Sequence, residues 1–475
     1  MEQKSKTPHL IERYFALQKN GTTVRTEVVA GLTTFITIAY ILLLNPQIMS
    51  DPYLIMGDTE MASKIANGVF IATCFGAAIG TFLMALYAKT PFAQAPGMGL
   101  NAFFAYTVVL HMGYSYNQAL VVVFLSGIFF ILITAVGLRE AIVRSIPDAV
   151  KAAITPGIGL FIAIIGLKNS GLIVANDATL VSMVDFAQWQ TPGADLTLIA
   201  GALVALIGFF VIGVLHFHNV KGSILIGILA ATLVGIPFGL TSLQNIDFNI
   251  GAKFSDFLEV SFLQMDFAGL FAGENLLKTI LTVAMLVLSF SLVNMFDSIG
   301  TLMGAAQQSG MVDEKGEILH LNKALMSDAV ATATGAMLGT STVTTVVESS
   351  AGIAAGGRTG LTSVVTGFLF IAAILFAPFV QVIPAAATAP ALLFVAILML
   401  SNIKKVDFSD MSQALPAFCT IVFMPFTYSI ANGIAMGLIS YCCIKIFTGK
   451  FREINLLTFI IALIFILRYA FMTLG

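Results

Sequence analysis

Charged side chains make up only 10% of this 475-residue sequence. Soluble globular domains carry roughly 25%, so an ordinary water-facing surface is excluded. Cysteine is sparse too. Cys74, Cys419, Cys442 and Cys443 all sit in apolar runs, with neither metal-ligand spacing nor a disulfide framework; they read as packing residues. Five histidines add nothing, since the H-x-H of His216 and His218 has no neighbouring Cys or carboxylate to complete a metal site. Residues 1–25 hold Lys4, Lys6, Arg13, Lys19 and Arg25 but no apolar core followed by a small-residue cleavage site, so secretory processing is not expected. No cofactor and no nucleic acid partner is implied.

What abounds is apolar sequence, 58% of the chain. A helix crosses the hydrocarbon core with about 20 mostly apolar residues, and such runs recur from end to end. Punctuation by polar, Gly and Pro residues predicts fourteen spans: 24–44, 66–88, 92–110, 115–137, 146–167, 196–215, 221–239, 276–303, 322–340, 341–358, 360–381, 385–402, 411–428 and 430–447. A further apolar stretch, 454–473, can cross, lie in the interface or cap the bundle. Without a phosphate-cradling G-x-x-x-x-G-K-[ST] loop, nothing supports an ATP-driven process.

Basic residues gather on one side of this alternation: the N-terminus, Lys89, Arg139/Arg144/Lys151, Lys221, Arg358, Lys404/Lys405 and Lys450/Arg452. The other side receives the acidic or nearly neutral stretches 45–65, 168–195 and 240–275. Excess Lys and Arg marks the cytoplasmic side, so a multi-pass protein of the cell (inner or plasma) membrane is expected, with residues 1–23 cytoplasmic. An internal repeat is also visible. Ile146-Pro147 and Ile383-Pro384 open matching segments, and GSILIGIL (222–229) echoes NGIAMGLI (432–439). Two units of seven crossings place the second upside down, as in secondary carriers whose site lies between the repeats.

Two spans are not ordinary helices. In TPFAQAPGMGLNAFFAY (90–106), Pro91 and Pro96 disfavour helix before themselves, which predicts an extended stretch at 91–96 and a half-helix from about 97. Residues 341–347 are Ser or β-branched throughout, which is strand chemistry, with a half-helix from Glu348. Two readings follow: kinked helices packed through glycines, or short strands paired at the centre and shielded from lipid, with two helix N-termini facing one site.

Three acids are recognised within spans: Asp297, Asp328 and Glu348. Carboxylates at membrane depth are costly, and they either tie helices together or mark solute and proton pathways. Asp328 reads as the structural one, near a span edge among small residues. Asp297, beside Asn294 and Ser298, and Glu348, at the strand-to-helix junction, read as functional. Helix N-termini alone suit an anion, but two acids repel it. A neutral, N–H-rich heterocycle or a cation fits better, with Asn101 adding an amide and Phe296, Phe103 or Phe104 available for stacking or for plain packing. Carriage of another solute, a passive channel and an intramembrane enzyme remain alternatives, although no nucleophile–base or metal constellation supports the enzyme.

The segments APGMGLNAFFAY (95–106), FDSIGTLMG (296–304), GTSTVTTVVESSAGIAAGGRTGLT (339–362) and ILLLNPQIM (41–49) resemble the azaguanine-resistance-type purine permeases, within the nucleobase–cation symporter 2 (nucleobase–ascorbate) superfamily. The resemblance implies an all-α polytopic fold of two inverted seven-span repeats with short strands in spans 3 and 10. It implies a core domain (24–137 and 276–381), a gate domain (146–239 and 385–447), and a place outside both for 454–473. It further implies proton symport of a purine base such as hypoxanthine, guanine or adenine, and a homodimer joined through gate domains. By motif, Asp297 and Glu348 match the carboxylates that bond the base; Glu348 is favoured for substrate and Asp297 for proton coupling. Asn101 with Gly97 and Gly99 matches the third-span contact, and Phe296 and Ser349 join the substrate-binding set.

Overall fold

The structure, a computed structural model, describes residues 10–137, 145–190, 196–241, 248–272, 276–309 and 320–471. Arg139 and Arg144 lie outside the described residues, as does the side chain of Phe296. A short helix α1 (Leu10–Phe15) precedes α2 (Val24–Ile38), α3 (Ile41–Ile55) and α4 (Thr59–Leu83). Strand β1 (Gln94–Pro96) leads into α5 (Met98–Ala102), which continues as wider π-type turns to His111; α6 (Tyr116–Ala135) and α7 (Asp148–Asn169) follow. A hairpin, β2 (Ile173–Asn176) and β3 (Leu180–Met183), precedes α8 (Thr197–Phe217), α9 (Ser223–Gly235), α10 (Ile250–Asp256) and α11 (Phe267–Leu270). The second half runs α12 (Leu276–Ser309), α13 (Leu321–Leu338), β4 (Val343–Thr345), α14 (Ser349–Ala354), α15 (Gly360–Ala372), α16 (Ala385–Leu400), α17 (Met411–Phe426), α18 (Ile430–Phe447) and α19 (Leu456–Phe471).

The fold class is the expected one: a helical polytopic bundle with short strands in the third and tenth segments. Among the described residues, nine helices are long and apolar enough to cross a membrane. The helices pack in two groups. Helices α2, α3, α4, α6, α12, α13, α14 and α15 form one, with α3, α4, α12 and α13 against the strands, while α7, α8, α9, α16, α17 and α18 pack on one another.

The first span differs from its expected 24–44. Helical structure continues to Ile55, broken only at Ala39–Tyr40. Residues 45–51 read as loop because they are polar and include Pro46, yet several of their polar atoms bond other segments of the bundle. Asn45 donates to Thr73 Oγ1 at 2.6 Å and Thr340 Oγ1 at 2.8 Å, and Gln47 donates to the Ile383 carbonyl at 2.6 Å. The described part of the 454–473 stretch forms α19. Helix α19 lies antiparallel along α18, with Tyr469 donating to Asn432 Oδ1 at 2.9 Å and the Thr458 hydroxyl bonding the Ser145 carbonyl. Ile461, Ala462 and Phe465 are buried against the bundle, while Phe459, Leu463 and Leu467 stay exposed. Helix α19 therefore packs alongside α18.

Glu27 is a fourth acid within a span and is fully buried. Its carboxylate accepts the backbone N–H groups of Arg358 at 2.9 Å and Thr362 at 3.0 Å, and the Thr362 hydroxyl at 2.6 Å. It thus caps α15 from another helix, satisfying donors a helix start leaves unpaired. Arg358 turns its guanidinium onto the carbonyls of Ile353 at 2.7 Å and Gly357 at 2.8 Å, which gives it a structural task at the end of α14.

Candidate functional site: paired strands inside the bundle

Strands β1 and β4 pair antiparallel, Gln94 opposite Thr345, Ala95 opposite Thr344 and Pro96 opposite Val343. The ladder extends at both ends, through Gly97 N–H to the Thr342 carbonyl at 3.0 Å and Val346 N–H to the Ala93 carbonyl at 3.2 Å. Helices supply the remaining partners. Thr81 Oγ1 accepts Gln94 N–H at 3.0 Å, and Thr332 Oγ1 donates to the Val343 carbonyl at 3.0 Å. An unpaired backbone group in a hydrocarbon setting costs several kcal/mol, so these hydroxyls are what permit extended backbone here.

Asp328 sits on the structural side of this arrangement. Fully buried in mid-helix rather than near an edge, it accepts from Thr345 N–H at 2.7 Å, Thr345 Oγ1 at 2.9 Å and Gln94 Nε2 at 3.1 Å. The Ser298 hydroxyl bonds its other oxygen. One carboxylate thereby ties α13 and α12 to both strands.

Asp297 and Glu348 differ from it in being only half-buried. A Cβ added at Gly97 would lie 4.0 Å from Asp297 Oδ2 and 3.0 Å from Thr344 Cγ2, so the Asp297 carboxylate stands at the turn from β1 into α5. Asp297 also lies within electrostatic reach of Asp328 and Glu348. Glu348 opens α14 just after β4, and its Oε1 accepts the Tyr40 hydroxyl at 2.5 Å.

The other site residues fall around these acids in different ways. Asn101 is buried one turn into α5; its Oδ1 bonds the Ser341 hydroxyl, and its Nδ2 has no partner among the described residues. Ser349 holds the strand, accepting Ala93 N–H at 3.0 Å. Gly99 is where the two helix groups touch, since a Cβ there would collide with Ile158 Cγ2 of α7. Phe103 and Phe104 are fully buried against Phe290 and Tyr116, with ring centroids 4.7 and 5.7 Å apart, and serve as packing. Among the described residues no cluster of His, Cys, Asp or Glu suits a metal.

Sequence reasoning overlooked a second set of polar contacts, which joins the helix groups toward the bundle end carrying residues 55 and 169. Tyr106 donates to Asp51 Oδ2 at 2.6 Å and accepts from Asn169 Nδ2 at 3.2 Å. The Thr388 hydroxyl bonds Gln47 Oε1, and Thr107 donates to the Tyr428 carbonyl at 2.6 Å. Gln47, Asp51, Asn169 and Thr388 line a cleft of about 310 Å³. The signal available was a run of polar residues inside an apolar segment, Asn45 to Asp51.

A family model described as "Permease family" (Xan_ur_permease) matches residues 25–436. The chain belongs to that permease family. Among its relatives is the adenine permease AdeQ of Escherichia coli strain K12, 40% identical over 96% of this chain and 96% of that one. Another is the guanine/hypoxanthine permease PbuO of Bacillus subtilis strain 168, 38% identical over 96% and 99%. The fold also matches the transmembrane domain of a cyanobacterium bicarbonate transporter, BicA, with a TM-score of 0.60 at 17% identity, covering 86% of this chain and 97% of that one. This permease is therefore a multi-pass membrane protein and not an enzyme, in keeping with the resemblance seen in its motifs.

Proposed function

We propose that this permease imports purine nucleobases in symport with protons, across the cell membrane and with its N-terminus in the cytoplasm. The observation that carries the proposal is the position of Asp297 and Glu348. Both are part-exposed acids where the paired strands turn into short helices, and both accept N–H groups of the kind a purine edge presents. Two carboxylates disfavour an anion, whatever the fold shares with a bicarbonate carrier. The names of relatives at about 40% identity point to purines.

In this reading Glu348 bonds the base and Asp297 exchanges the proton. The unpaired Nδ2 of Asn101 offers the donor that a purine ring nitrogen needs, and Gly97 and Gly99, lacking side chains, leave the approach open. Ser349 supports Glu348 by fixing the start of its helix. The group around the strands acts as core (24–137 and 276–381), and the α7–α9 and α16–α18 group as gate (146–239 and 385–447). Transport alternates access between them, with the Gln47–Thr388 and Tyr106–Asn169 bonds closing the outer side. Gate domains join two copies.

Uptake of labelled hypoxanthine, guanine and adenine into a transport-deficient cell tests the proposal, with unlabelled uracil and sulfate as competitors. Accumulation of at least one purine against its gradient, abolished by a protonophore and by Glu348→Gln, is expected. Competition by sulfate alone overturns the substrate class, and accumulation that survives the protonophore overturns the coupling.

A further inference from the structure

We propose that Tyr40 is the positioning residue for Glu348, holding its carboxylate toward the substrate through both protonation states. This rests on the reading of Glu348 as a substrate contact and adds a residue of the first span to the site. Tyr40 occupies the break between α2 and α3, and only 1% of it is exposed. Its hydroxyl reaches Glu348 Oε1 at 2.5 Å across 308 residues of sequence.

Local structure gives the Glu348 carboxylate only its own backbone N–H. The residue stands at the start of α14 with helical backbone angles (φ −59°, ψ −20°) and makes no side-chain capping bond. A glutamate so placed has three side-chain torsions to order, and immobilising a rotamer-rich side chain on binding costs affinity. A packed tyrosine has two torsions, both fixed here by burial. Bonding Oε1 to that ring removes the freedom of the carboxylate beforehand and leaves Oε2 for a base N–H. A phenol hydroxyl donates to a carboxylate and accepts from a carboxylic acid, so the contact survives when Glu348 takes a proton.

Tyr40→Phe deletes one oxygen and keeps the buried ring. The Glu348 carboxylate must then be ordered when the base binds instead of beforehand. Losing only that prior ordering, the variant is expected to weaken binding of whichever labelled base (hypoxanthine, guanine or adenine) the wild type takes by roughly two- to tenfold. KM rises in parallel, while kcat changes little. Wild-type affinity in Tyr40→Phe overturns the inference, and so does a fall in melting temperature with kcat lost at unchanged KM, the mark of a structural role. Glu348→Gln measured alongside separates the two levels. If it loses affinity and Tyr40→Phe does not, this inference alone falls. Should it bind as wild type, the assignment of Glu348 to the site falls and this inference falls with it.

Discussion

Asp328 and Thr345 are joined twice, through the Thr345 backbone N–H at 2.7 Å and its hydroxyl at 2.9 Å. A helix carboxylate thus stands where a strand partner would otherwise accept. Gln94 Nε2 on the facing strand shares the same oxygen at 3.1 Å, so Asp328 clamps the pair of strands rather than one of them. Removing it strands several buried donors, each costing about 1–3 kcal/mol when left unpaired. Asp328→Ala is expected to lose about 3 kcal/mol or more of stability, seen as a large drop in melting temperature of the purified protein. Asp328→Asn, which keeps one acceptor oxygen, should fall between. Loss of transport with an unchanged melting temperature would instead move Asp328 from the scaffold to the transport chemistry.

The paired strands were legible because their signals are local. Pro91 and Pro96 forbid a continuous helix, and the β-branched run 341–347 favours extension; strands form at 94–96 and 343–345. Glu348 and Asp297 were legible because an acid in an apolar run is conspicuous. Tyr40, Asp51 and Glu27 were not singled out, since their meaning depends on partners far away in sequence: Glu348, Tyr106 and Thr362. Asp51 was hidden by its setting as well. Its neighbours Asn45, Pro46 and Pro52 look like a loop, and the bonds of Asn45, Gln47 and Asp51 to distant segments hold the stretch in the bundle.

Glu27 carries the second prediction. Its two oxygens receive backbone N–H groups and the Thr362 hydroxyl at the start of α15. Glu27→Gln supplies one acceptor oxygen and a surplus of donors, so at least one N–H of that helix start loses its partner. The expected cost is about 2 kcal/mol, read as a lower melting temperature without a change in base specificity. An unaltered melting temperature would show that water replaces the carboxylate at no cost.

The bonds between Gln47, Thr388 and the Ile383 carbonyl give a third. If they hold the outer side closed, weakening them shifts the population toward an outward-open state. Ala66 lines the same cleft. An Ala66→Cys reporter, in a chain with Cys419 and Cys443 replaced by serine, should react faster with an impermeant external thiol reagent once Gln47→Ala is added. A hydrogen bond net of about 1 kcal/mol corresponds to roughly fivefold in that population. Equal labelling rates would mean these bonds do not control outer access.

Gly99 and Ile158 give the last, because they test the contact between the helix groups directly. A methyl group at position 99 would overlap Ile158 Cγ2, although it would lie 3.7 Å from Ile158 Cβ, an ordinary contact. The overlap falls on a β-branched side chain that is stiff about its first torsion, so relief requires α5 and α7 to separate. Gly99→Ala is therefore expected to abolish most uptake while the protein still folds, since the strain sits between two packed groups and not inside either. Ile158→Ala removes the colliding atom and opens space at a cost of about 2–4 kcal/mol in stability. Added to Gly99→Ala it should restore uptake above the level of Gly99→Ala alone, a coupling of the size neighbouring residues show. Uptake measured on both single variants and the double variant decides the matter. Strictly additive losses would mean that Gly99 is required for its backbone or for the approach of the base, and not for the passage of α5 across α7.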